Sequence, residues 1–191
     1  MCNACLKEGC FPTKWKNSVI IPIIKPGKED CNDVSKYRPI RLLNIGDKLL
    51  ERLIIDRLLF HIYSNNLSDN QYGFTPQKGT VVAAMKVKYF VEESLRLKQC
   101  EVLVSLDVKG AFDAAWWPSI LKQLRKPKCP KNLHNLLASY ISNRKATLSI
   151  INYKTGKEVQ KGCFQGSCCG LDFWNVMCKS LLNLKFIAQQ K

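Results

Sequence analysis

The sequence predicts an α+β layer fold, and three observations lead there. Segments whose apolar residues recur every three or four positions alternate with short β-branched runs. They do so without the regular strand–helix–strand order of a parallel α/β protein. The 191 residues are 46% hydrophobic and 24% charged, which suffices for a core without staples. Only 10 glycines and 8 prolines are present, which excludes a collagen-like chain and argues against a disordered one. Length allows one domain or two small ones.

Cys2 to Gly9 reads as a short helix closed by Gly9 ahead of Phe11-Pro12. Ser18 to Ile24 is a strand, and Pro22, which has no N–H for a ladder, assigns it to a sheet edge. Lys25 to Asp33 is a turn-rich polar loop, and Tyr37 to Leu43 a second strand. Asn44, with Asp47 three residues on, opens a helix to about Tyr63, with Leu50, Leu53, Ile54, Leu58 and Ile62 on one side. Asn65 to Asn70 is loop and Gln71 to Pro76 is extended. Thr80 then caps a helix to about Leu97, with Ala84, Val87, Val91 and Leu95 on one face.

Glu101 to Asp107 is a near-continuous apolar run of strand length, a pattern expected of a strand covered on both faces. Trp117-Pro118 begins a helix, Pro118 suiting its first turn. Leu133 to Ile141 is helical, and Ala146 to Val159 reads as a hairpin turning near Lys154-Thr155-Gly156. After Gly162 to Ser167 a last helix carries Leu171, Trp174, Cys178 and Leu181 on one side.

Charge is the strongest bulk feature. Thirty Lys and Arg against 15 Asp and Glu give +15, and from Ala114 to Lys157 nine basic residues stand without one acid. A field of that sign favours a polyanion partner, above all nucleic acid, over a merely solvated basic surface. No run approaches the roughly 18 apolar residues of a membrane helix. The start lacks an apolar signal region, so an intracellular protein with no membrane partner is expected. Ten cysteines without signs of export read mainly as small buried thiols. Cys2, Cys5, Cys10 and Cys31 resemble a zinc set only faintly, because no second close pair completes a tetrahedral site; zinc is not expected.

Asp107 is the most informative residue. A carboxylate ending a buried apolar strand needs a partner, and a divalent cation is one; capping the next helix is another. Asp113, six residues on, has the more ordinary reading of a structural cap or ion-pair member.

Ser105 to Trp117 (SLDVKGAFDAAWW) resembles the first catalytic motif of reverse transcriptases from non-LTR (LINE-type) retrotransposons. Phe11 to Lys16 (FPTKWK), Ile21 to Lys28 (IPIIKPGK), Tyr37 to Leu43 (YRPIRLL), Gln71 to Phe74 (QYGF), Ser139 to Arg144 (SYISNR) and Gly162 to Gly170 (GCFQGSCCG) follow in the family's order. The Cys-Cys-Gly and Phe173-Trp174-Asn175 segments are similar to arthropod elements. The resemblance covers nearly the whole chain. It implies the fingers and a partial palm of a right-hand polymerase, residues 1–100 being fingers-like and 101–191 a partial palm whose sheet is incomplete and whose thumb is absent. It further implies an RNA or DNA template–primer and dNTPs as partners, and a nuclear or cytoplasmic location.

The same resemblance implies site roles. Asp107, as catalytic carboxylate, and the backbone carbonyl of Val108 match ligands of Mg²⁺ in a two-metal phosphoryl transfer. Lys25 and Arg38 match contacts to the incoming triphosphate, Phe112 the aromatic gate under the sugar, and Gln165 and Gly166 the nucleotide-side loop. Gln71, Tyr72, Gly73, Phe74 and Arg144 match template- or primer-facing positions, with core packing an equal alternative for the two aromatics.

Departures qualify the expected activity. The aromatic-x-Asp-Asp hairpin that supplies the family's other carboxylates has no counterpart, and no Asp-Asp pair occurs anywhere. With one dedicated side-chain ligand, weak Mg²⁺ binding is expected. Phe164 stands where the pattern has Pro, and Leu171 and Asp172 replace small or Pro residues. The expectation is a truncated, decayed RNA-directed DNA polymerase domain, inactive as it stands. The second reading is a non-catalytic basic nucleic-acid-binding module; a third is a zinc-stabilised structural protein using Cys2, Cys5 and Cys10.

Overall fold

The computed structural model describes residues 1–27, 33–64, 68–108, 110–125, 129–150 and 153–182. Outside them fall Cys31 with most of the polar loop, the first half of the expected 65–70 loop, and Lys109; the side chains of Ile62 and Leu181 are likewise undescribed. Helices and a four-stranded mixed sheet make an α+β fold. Its elements in chain order are α1 (Cys2–Glu8), β1 (Asn17–Ile24), β2 (Tyr37–Leu42), α2 (Ile45–Ser64), α3 (Thr80–Arg96), α4 (Ala111–Ala114), α5 (Trp117–Arg125), α6 (Lys131–Ile141), β3 (Arg144–Ile150), β4 (Tyr153–Val159) and α7 (Gly170–Leu182).

The strands lie in the order β2-β1-β3-β4. β1 is antiparallel to β2 and parallel to β3, and β3 is antiparallel to β4. The edge expected at Pro22 is therefore true of half a strand. Only Val19 and Ile20 lie between two neighbours, because β3 pairs with Asn17 to Ile20 and β2 with Val19 to Ile24, whereas Pro22 faces Pro39 of β2 alone. Two residues without N–H groups thus sit opposite each other where β1 has no second neighbour to serve. Ile150 is paired with Tyr153, so Lys154-Thr155-Gly156 lies within β4 and is not the turn that the glycine suggested.

The core is mainly helical. Leu50, Ile54 and Leu58 of α2, Ile120 and Leu124 of α5, Leu136, Leu137 and Tyr140 of α6, and Phe173 and Val176 of α7 pack into one cluster that Phe11 and Phe164 complete. Each such apolar side chain contributes about 1.5–3 kcal/mol by leaving water. Asn44 begins α2 as expected, its Oδ1 accepting the Gly46 N–H at 2.9 Å. Gly79, not Thr80, is the residue capping α3.

The largest difference concerns residues 101–108. They are extended but unpaired, and Val102, Leu103, Val104 and Leu106 are 81%, 78%, 70% and 84% exposed. An apolar run becomes a two-sided strand only when neighbours supply hydrogen bonds at its edges and apolar surface on its faces. Among the described residues no strand does so. α3 shares this isolation, with Met85, Phe90 and Leu95 mostly exposed.

Candidate active site

Three of the expected groups meet around α7. Gln71 is buried, and its Nε2 donates to the Gly73 carbonyl and to Asn175 Oδ1, both at 3.1 Å. Asn175 returns a bond from Nδ2 to the Phe74 carbonyl at 3.0 Å. The Phe112 ring lies between those of Trp174 (5.7 Å) and Phe74 (6.5 Å). Gln71 to Phe74, Phe112 and the first half of α7 therefore form one corner. Tyr72 is half-buried there, with the ammonium groups of Lys78 and Lys86 within 6 Å of its ring.

The Gly162 to Ser167 loop is tied down from both ends. The Gly162 and Cys163 N–H groups donate to the carbonyls of Ala115 and Phe112, and the Trp117 indole donates to the Gly162 carbonyl at 2.9 Å. The Arg41 N–H of β2 donates to the Gln165 carbonyl at 2.8 Å. Gly166 has φ 110° and a Cβ there would stand 2.5 Å from the Arg41 carbonyl oxygen, so backbone sterics and space both require glycine.

Beneath this loop lies a buried polar network. Glu51 of α2 is fully enclosed; its Oε1 accepts from the Tyr140 hydroxyl and its Oε2 accepts the Cys168 N–H at 2.8 Å. The Tyr140 hydroxyl is also 3.2 Å from Ser167 Oγ. Arg144 is 2% exposed and forms a bidentate pair with the fully buried Asp47 at 2.9 and 3.0 Å. Its Nε donates to the Tyr140 carbonyl at 2.7 Å, and its guanidinium lies over the rings of Tyr140 and Phe164.

Burial raises the Glu51 carboxyl above its ordinary value, and the bonds from Tyr140 and the Cys168 amide offset only part of that. Burial opposes the Arg144 charge, but Tyr140, Asp47 and Glu51 outweigh it and hold the guanidinium protonated. Buried and paired in this way, Arg144 offers no exposed donor to a nucleic-acid strand. The strand-facing position expected for it corresponds to an interior support, because its charge is neutralised inside the core.

The remaining residues are more scattered. Lys25 and Arg38 lie at the end of the β1–β2 pair where the two strands are joined, and there Lys25 Nζ donates to the Ser35 carbonyl at 2.7 Å and Arg38 faces Ile23. Asp107 and Val108 are exposed in the unpaired 101–108 segment. Among the described residues no three of His, Cys, Asp or Glu come together closely enough to hold a metal ion. Cys2, Cys5 and Cys10 are free thiols, and one carboxylate with a backbone carbonyl is a poor donor set for a two-metal centre. The described residues do not assemble the family's Mg²⁺ site. No described helix is long and apolar enough to cross a membrane.

The family described as "Reverse transcriptase (RNA-dependent DNA polymerase)" matches residues 23–185. The chain belongs to the reverse transcriptase family. It is 34% identical over 181 residues to the RNA-directed DNA polymerase from mobile element jockey of Drosophila melanogaster, covering 94% of this chain and 20% of that protein. It is 34% identical over 183 residues to the Pol polyprotein of the type-1 retrotransposable element R1 of Bradysia coprophila, covering 93% and 17%. A probable RNA-directed DNA polymerase from transposon BS of Drosophila melanogaster is 32% identical over 181 residues, covering 94% and 20%. The reverse transcriptase segment thus spans about a fifth of the length of the curated relatives it matches.

Sequence reasoning missed Glu51, Asp47, Tyr140, Asn175 and Arg41 in this reverse transcriptase segment. A signal existed for the two acids. Positions 47, 51, 54 and 58 recur every three or four residues, so Asp47 and Glu51 share the apolar stripe of Leu50, Ile54 and Leu58. Acids on a core-facing stripe require buried partners.

Proposed function

We propose that this chain forms the fingers and part of the palm of an RNA-directed DNA polymerase from a non-LTR retrotransposon. In this reading Lys25 and Arg38 receive the triphosphate of a dNTP, Phe112 underlies its sugar, and Gln165 and Gly166 border the base. Gln71 to Phe74 face the template or primer, and Asp107 is the catalytic carboxylate. Arg144 acts from within, supporting Tyr140 and Phe164 under the Gln165 loop. The reading is supported by the bonds that tie that loop to β2, the strand that also carries Arg38, and the adjoining Cys168 to α2.

We infer that these 191 residues do not polymerise by themselves, and the observation carrying that reading is that Asp107 belongs to no described cluster of three or more His, Cys, Asp or Glu able to hold a metal ion. A centre that activates a 3′-hydroxyl and stabilises pyrophosphate needs more negative charge than one exposed carboxylate supplies. Purified chain incubated with primed RNA template, dNTPs and Mg²⁺ is expected to give no template-dependent incorporation. Incorporation that disappears with Asp107→Ala would overturn the assignment of inactivity.

The second reading, a non-catalytic basic nucleic-acid-binding module, is favoured by the +15 charge. It is compatible with the loss of catalysis, and affinity that falls steeply with salt distinguishes it from a protein with no nucleic-acid partner.

A further inference from the structure

Almost half of the exposed large apolar side chains among the described residues fall between Val81 and Val108, on α3 and the unpaired 101–108 segment. The segment is held to α3 at its start, where Ser94 Oγ donates to Glu101 Oε1 at 3.2 Å. Beyond that bond a groove of about 370 Å³ separates Phe90, Val91 and Leu95 from Val102 and Leu103. No backbone group from Val102 to Val108 is bonded to described backbone. An apolar edge in that condition is a template for another strand.

One copy leaves much surface uncovered. The whole chain exposes 13893 Å², whereas a folded monomer of 21.8 kDa exposes roughly 9,300 Å². The difference exceeds the roughly 1,000–2,500 Å² that each copy of an obligate homodimer buries.

Charge indicates which partner suits. Between Thr80 and Val108, Lys86, Lys88, Arg96 and Lys98 stand against Glu92, Glu93, Glu101 and Asp107, so this stretch is neutral in a chain of net charge +15. It offers no surplus of cations to a polyanion, and no surplus of either sign to an oppositely charged protein. An equally neutral apolar surface fits it, and a second copy presents one.

The segment is also self-complementary. Val102, Val104, Leu106 and Val108 alternate with Leu103, Ser105 and Asp107, so one face is wholly apolar. Antiparallel pairing about a two-fold axis at Ser105 sets Val104 opposite the other copy's Leu106, and Val102 opposite its Val108. All eight apolar side chains then share one face. Leu103 meets the other copy's Asp107, and the two Asp107 residues stand roughly 14 Å apart along the ribbon. A parallel in-register pair would set Asp107 beside Asp107 at about 5 Å, an arrangement that like charges oppose.

We infer that this chain dimerises through residues 102–108, two copies pairing antiparallel with Ser105 on the axis. The α3 helix of each copy supplies the apolar cover that a two-stranded ribbon lacks by itself. The dimer rests on neither the polymerase reading nor the nucleic-acid-binding one.

The test is sedimentation equilibrium of the purified 191-residue chain, treated with nuclease, over about 1–100 µM. The expected mass is twice 21.8 kDa. Association should tighten as salt rises, because screening relieves repulsion between two bodies of +15, whereas a complex bridged by nucleic acid loosens. Ser105→Cys should cross-link to itself in a glutathione redox buffer far beyond the parent with its native thiols. Opposed Cα atoms in such a ribbon are about 4.5–5.5 Å apart, within disulfide reach. Leu103→Lys should dimerise at least about tenfold more tightly than Leu103→Asp, since each lysine meets the other copy's Asp107 and each aspartate is repelled by it. Leu103 and Ser105 are exposed in the single chain, so circular dichroism of these variants should match the parent.

A parent that stays monomeric at about 100 µM overturns the dimer and leaves this face to a different protein's surface. Cross-linking of Ser105→Cys no greater than the parent's, or equal association of Leu103→Lys and Leu103→Asp, puts the contact elsewhere and overturns it as well. Mass climbing past two copies means open-ended edge pairing and overturns the closed pair. Association that nuclease or rising salt abolishes is bridging by nucleic acid, and it too overturns the inference.

Discussion

Gln71 and Asn175, 104 positions apart, are joined side chain to side chain by a 3.1 Å hydrogen bond inside the protein. Each amide also engages backbone of the 71–74 segment, so one pair fixes both an otherwise irregular stretch and its distance from α7. Phe112 packs between Phe74 and Trp174 because of this link.

Asn175→Ala is expected to cost about 2–3 kcal/mol, since it removes two bonds and leaves the Gln71 amide and the Phe74 carbonyl without those partners. In a chain of this size that corresponds to a fall in melting temperature of roughly 4–12 °C. A cycle with Gln71→Ala should show a coupling of at least about 0.5 kcal/mol, read from urea unfolding. Strict additivity would mean that the two amides act independently, contrary to the geometry.

The Asp47–Arg144 pair yields a contrast between two roles for one arginine. Arg144→Met leaves Asp47 as an uncompensated buried charge, and Asp47→Asn does the same to Arg144. Each should cost about 3–5 kcal/mol, and the double variant should recover much of the loss. A surface arginine serving a nucleic-acid strand would behave otherwise, weakening binding at nearly unchanged stability. Urea midpoints of the three variants separate these cases, and a single variant as stable as the parent would sink the interior role.

How far these features were legible in the sequence depends on what each needed. α2 was legible because Asn44, a polar cap, and a three–four apolar spacing are local signals, and its bonds are local too. Arg144 was not, because its partner lies 97 positions away and a basic residue in an acid-free stretch looks like surface. The 101–107 run was read correctly as apolar and extended. Its burial is a property of neighbouring strands, and pattern alone carries no information on whether those are present. Phe112 and Gln71 to Phe74 came from resemblance; what gathers them, Asn175 and Trp174, appeared in the sequence only as a helix face.

Asp172 gives a pH dependence opposite in sign to that of a salt-bridged aspartate. Burial in the first turn of α7 lifts its carboxyl from 3.8 to about 6, only partly offset by its backbone hydrogen bond and by Arg52. Between those values the folded chain binds more protons than the unfolded one. The contribution of this group to stability is therefore greatest below about pH 4, declines as pH rises to about 6, and stays at its minimum above. The full shift corresponds to about 3 kcal/mol, but the side chain is partly open to solvent, so about 1–2 kcal/mol is the expected size. Asp172→Asn should flatten the stability profile across this window. At neutral pH it should add less than about 1 kcal/mol, because the favourable interaction of a carboxylate with the helix N-terminus is lost as well. Glu51, also raised by burial, adds slope of the same sign, so the profile of the variant becomes shallower without becoming level. Urea midpoints of parent and variant measured from pH 4 to pH 7 provide the check, and parallel curves across that range would refute the assignment.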